Sequence, residues 1–128
     1  MHHRTAATAA LVFFAATAAP AHPPSSLVVE VTGSTLTVSA PHRVGDPANH
    51  FISTIEVFVN GSRQIVQEFS IQNTADAQAA LYYIPGLKAG DTVAVRADCN
   101  KGGDLKREVV VGTSAGKHSP AGRKPRTK

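Results

Sequence analysis

From Leu27 to Val111 the chain repeats one pattern seven times: a short apolar and β-branched run, closed by a turn signal. Where the runs alternate, they do so with a period of two, which puts apolar side chains on one face of a strand and polar ones on the other. Leu36 and Val38 oppose Thr35 and Thr37, and Ile55, Val57 and Val59 oppose Thr54, Glu56 and Phe58. Ile65, Phe69 and Ile71 share a face, as do Val93, Val95 and Ala97. The predicted strands are 27–32, 35–40, 51–59, 63–71, 79–84, 92–98 and 105–111. Between them stand Gly33-Ser34, the loop from Pro41 to Asn49, Asn60-Gly61, a polar stretch from Gln72 to Gln78, Pro85-Gly86 with Ala89-Gly90-Asp91, and Cys99 to Asp104. Asn60-Gly61 is the strongest hairpin signal, because a tight two-residue turn needs two residues that tolerate positive φ. The segment from Thr74 to Ala80 also fits a helix of about two turns at most.

Seven short strands with turns between them and no convincing helix predict an all-β, seven-stranded, immunoglobulin-like antiparallel sandwich. The predicted domain is residues 22–112, long enough to bury a core without disulfides. Before it, residues 1–21 read as a secretion signal. Arg4 supplies a positive start, Ala6 to Ala16 an apolar stretch centred on Leu11-Val12-Phe13-Phe14, and Ala19-Pro20-Ala21 a cleavage motif. The apolar stretch falls short of the roughly 20 residues that span a bilayer, so no transmembrane segment is expected in the mature form. The expected location is therefore periplasmic or secreted.

The formal charge of +4 is unevenly placed. Within 22–112, seven Lys/Arg face nine Asp/Glu. Residues 113–128 hold Lys117, Arg123, Lys124, Arg126 and Lys128 with no acid, and they read as a disordered basic tail. The folded part carries no basic stripe with interleaved aromatics, so nucleic-acid binding is not expected.

Chemistry concentrates in four residues of the predicted domain: His22, His42, His50 and Cys99. His22 precedes the first strand, His42 follows the second, His50 precedes the third and Cys99 follows the sixth. If consecutive strands run in opposite senses, all four of these positions fall at the same end of the sandwich. Imidazole and thiolate are the donors of zinc, copper and iron sites. Metal binding would also explain a single cysteine in an exported protein, where a free thiol is otherwise exposed to oxidation. Taken one at a time, a loop histidine is more often a solvated polar residue and a lone cysteine a small buried hydrophobe. His118, in the tail, is read as solvated.

Pro41-His42, Asn49-His50-Phe51-Ile52, the strand around Ile55-Glu56-Val57, and Ala94-Val95-Arg96-Ala97-Asp98-Cys99-Asn100 together resemble the iron-binding domain of desulfoferrodoxin and neelaredoxin, the superoxide reductases. The resemblance covers about residues 22–111. It implies a mononuclear non-haem iron held by histidine nitrogens and an axial cysteine thiolate, one-electron chemistry on superoxide, and a redox partner protein. His42 and His50 match the family's loop histidines, Cys99 its thiolate, and His22 its N-terminal histidine. The sequence departs from that pattern at three places. Gly102 stands where the family has a fourth histidine, Ala21 precedes His22 where the family has a lysine, and the histidine loop is two residues longer. Two other readings stand beside this one: a periplasmic copper or zinc carrier without catalysis, and a metal-free sandwich acting in surface interaction.

Overall fold

A computed structural model describes residues 21–112. The secretion-signal reading of residues 1–21, apart from Ala21, and the basic tail lie outside the described residues. Seven strands form: β1 (Val28–Thr32), β2 (Thr35–Pro41), β3 (Ile52–Val59), β4 (Ser62–Glu68), β5 (Ala77–Tyr83), β6 (Thr92–Cys99) and β7 (Asp104–Val110). Every pairing is antiparallel. They make two sheets, ordered β1-β2-β5 and β4-β3-β6-β7, and the described residues contain no helix. This is the immunoglobulin-like sandwich, with β4 paired to β3 rather than added to the first sheet.

The core lies between the sheets, where the apolar faces of the strands meet. Leu36, Val38 and Ala40 of β2 face Ile55 and Val57 of β3 and Val93, Val95 and Ala97 of β6, all buried and clustered with Leu27, Ile84 and Val111. Burying a Val, Leu or Ile side chain is worth roughly 1.5–3 kcal/mol, so these residues dominate the stability of the fold. The Asn60-Gly61 turn takes φ values of 50° and 82°. Both lie in the left-handed region that a type I′ hairpin demands.

Two expectations give way. The Thr74–Ala80 segment does not form a helix. Thr74 Oγ1 accepts from the amides of Asp76 and Ala77, a local bond that imitates a helix cap, but the chain then enters β5 and pairs with β2. Ile71 is 56% exposed, because β4 ends at Glu68. Beyond it Gln72, not Ile71, turns inward and is 2% exposed.

A bulge in β3 shapes the end of the sandwich that holds the histidines. The β3–β6 register shifts between Ile52 and Thr54, so that Ile52 pairs with Cys99. Ile52 and Ile55 are three positions apart, yet both are fully buried. Strict alternation would put one of them outside; the extra residue, Ser53, lets both point inward.

Candidate metal centre

Strand parity holds in the structure, and all four candidate residues lie at the same end. The ring nitrogens of His22, His42 and His50 lie within 4.8 Å of one another, and their ring centroids are 4.6–4.8 Å apart. Cys99 adjoins this group through His50, whose Nε2 is 3.1 Å from Sγ. His42, His50 and Cys99 are buried, and His22 is partly covered.

Each donor is held by its own local structure. His42 directly follows β2, and its amide donates to the Asp76 carbonyl. His50 closes a turn built on Asp46, whose carbonyl accepts from the amides of Asn49 and His50 and whose Oδ1 accepts from Ala48. The Asn100 side chain then clamps both flanks of His50. Its Nδ2 donates to the Asn49 carbonyl, and its Oδ1 accepts from the Phe51 amide. Because Asn100 follows Cys99 directly, the same residue sets histidine and thiol in register. The Lys101 amide donates to Cys99 Sγ from 3.4 Å.

The N-terminal segment reaches the site as a strap. Ser25 anchors it by donating its amide and hydroxyl to the Pro41 carbonyl, which lays His22 beside His42. The turn after Cys99 makes room for this strap. Gly103 has φ of 92°, and a Cβ there would stand 2.8 Å from the Pro23 nitrogen. The Gly102-Gly103 pair thus accommodates the backbone of residues 22–23. At Gly102, where the family has its fourth histidine, a Cβ would meet Ala21 at 3.7 Å.

Burial lowers the His50 pKa from the ordinary 6.5, with further lowering from the positive charges that His42, His22 and Lys101 can carry nearby. His50 thus stays a neutral electron-pair donor to lower pH than a free imidazole.

The three imidazoles, with donor atoms within 4.8 Å of one another, could hold a metal ion. Cys99 Sγ, 3.1 Å from His50 Nε2, lies beside this set. Two nitrogens on one ion stand at most about 4.2 Å apart, so a spread of up to 4.8 Å closes with a shift of roughly half an ångström. The hollows lined by Val31–Gly33 with Leu87–Ala89, and by Val59-Asn60 with Pro85–Lys88, lie at the opposite end.

Sequence reasoning missed Gln72 and Asn100 as site residues. Gln72 sits in a stretch that reads as a polar turn, and nothing in its neighbours marks it as buried.

No family model matches the sequence, and no curated protein matches it. Among solved structures, the superoxide reductase (1Fe-SOR) from Giardia intestinalis is similar, with a TM-score of 0.53 and 17% sequence identity over 66% of this chain and 94% of that one. At that identity the likeness establishes a distant superoxide-reductase-like fold and nothing finer. No helix among the described residues is long and apolar enough to cross a membrane.

Proposed function

We propose that this chain is an exported mononuclear metal protein in which His22, His42, His50 and Cys99 hold non-haem iron in a superoxide-reductase-like redox role. The observation that carries the reading is the convergence of three imidazoles, with a buried thiol against one of them, at one end of a sandwich of this fold. Ferrous iron at such a site would supply one electron to superoxide.

The chain's own residues suit that chemistry in definite ways. Cys99 offers a sulfur donor whose Sγ accepts from the Lys101 amide. His50, kept neutral by its surroundings, is free to donate its electron pair. Lys101 holds a positive charge at the rim, its Nζ 3.5 Å from Asn49 Oδ1, where it attracts a small anion. A redox partner protein would return the electron.

A second reading is favoured by Gly102. With no ligand from that position, the set is three nitrogens and one sulfur, which also suits four-coordinate zinc or copper in a carrier without catalysis.

Metal analysis with an optical spectrum of the purified protein separates these readings. Iron with a thiolate charge-transfer band that disappears in Cys99→Ser supports the first. Stoichiometric zinc or copper without iron overturns it in favour of the second. No metal after anaerobic purification and reconstitution overturns both and returns the chain to a metal-free sandwich.

A further inference from the structure

Gln72 lies fully inside the protein beneath His42, and all the hydrogen-bonding capacity of its side chain is used. Its Nε2 donates to the His42 carbonyl at 2.7 Å and to the Thr74 carbonyl at 2.8 Å. Its Oε1 accepts from the Ile52 amide at 3.2 Å and lies 2.8 Å from His42 Nδ1. Three of these partners are backbone groups whose roles are not negotiable: two carbonyls can only accept, and an amide N–H can only donate. They fix which end of the Gln72 amide is oxygen. The atom facing His42 Nδ1 is therefore an acceptor, and at 2.8 Å it favours the proton on Nδ1.

The neutral ring then has its lone pair on Nε2. That nitrogen faces the His22 carbonyl oxygen at 3.2 Å, a second acceptor that competes for the single proton of the neutral ring, and the shorter, fully buried 2.8 Å contact to Gln72 Oε1 favours Nδ1.

We propose that Gln72 is the positioning residue of the site: it selects the Nδ1–H tautomer of His42 and thereby presents Nε2 to the metal. This rests on the metal-binding reading above. It deepens that reading by naming the donor atom and the group that selects it. Partners of this kind, one shell outside the ligands, orient the ring and raise its basicity, and removing them typically weakens metal binding about 10–100-fold.

The test has a metal-free arm and a metal-bound arm. In ¹⁵N NMR of the metal-free wild type, recorded above the imidazole titration range, His42 is expected to show a protonated Nδ1 and a bare Nε2. A protonated Nε2 overturns the proposal. Cobalt(II) alone serves as the spectroscopic probe of binding. Gln72→Met is expected to raise its dissociation constant about 10–100-fold while keeping the thiolate band, and Gln72→Glu, which retains an acceptor, to keep the Nδ1–H tautomer. A folded Gln72→Met protein that binds cobalt as tightly as wild type overturns the proposal. If that variant does not fold, the wild-type tautomer decides alone. Failure of the wild type to bind cobalt overturns the metal reading itself, and that outcome is distinguishable because the tautomer is read without metal.

Discussion

His50 Nε2 and Cys99 Sγ stand 3.1 Å apart although 49 positions separate the two residues in the chain. They form a buried imidazole–thiol pair at the end of β6. The pair's surroundings hold the His50 pKa below its ordinary 6.5, and this fixes the sign of one pH effect. Below about 6.5 the unfolded chain takes up a proton that the folded chain resists, so the metal-free protein loses stability as pH falls through that region. Urea midpoints measured from about pH 8 to about pH 5 should decline, and His50→Gln should flatten the decline.

Asp91 sets a second, more acidic window. Its carboxylate accepts first from Asn60 Nδ2, then from the Lys88 amide and the Lys88 ammonium, and together these hold its pKa at about 2 against an ordinary 3.8. The contribution is fully present above 3.8 and is lost as pH falls toward 2. Asp91→Asn should shallow the acid limb of a thermal-denaturation profile in that interval and leave the neutral region's slope unchanged.

Asn100→Ala removes both side-chain bonds that flank His50. Each such bond contributes about 0.5–1.5 kcal/mol net, so a stability loss of about 1–3 kcal/mol is expected in chemical denaturation. Loosening the His50 loop should also weaken cobalt binding. A variant with unchanged affinity would show that the clamp serves the fold alone.

Gly103→Ala tests the strap. The new Cβ would stand 2.8 Å from the Pro23 nitrogen and 3.0 Å from Pro23 Cδ, on a backbone with φ of 92°. The strained backbone costs on the order of 1–3 kcal/mol, and residues 22–23 must move away. Metal affinity should then fall to that of His22→Ala, while the core transition seen by near-ultraviolet spectroscopy persists.

The strands were legible because a sandwich buries one face of each, and burial on one face writes a period of two into the sequence. Parity alone then brought His22, His42, His50 and Cys99 to one end, because a position before or after a strand implies which end it occupies. Periodicity names a face and not a neighbour, so of the sheet pairings only that of β3 with β4 was legible, through the Asn60-Gly61 hairpin signal. Thr74 misled because a hydroxyl accepting from amides two and three residues on looks the same before a helix and before β5. Gln72 was hidden for a related reason. A glutamine whose every bond is satisfied is at home in the interior, and the groups that satisfy it, from His42 and Ile52, are remote in sequence.

The strap, the end of β2, the entry to β3 and the end of β6 supply the four proposed ligands from separate stretches of chain. An ion bound to all of them would cross-link the protein, closing segments of 20, 8 and 49 residues. Its binding energy would then be folding energy as well. It would fasten sheet to sheet and the N-terminus to both, much as disulfides staple small secreted domains. The single cysteine would do in one coordination bond what a pair does elsewhere, and the loaded and empty proteins should differ most in how fast this end of the sandwich comes apart.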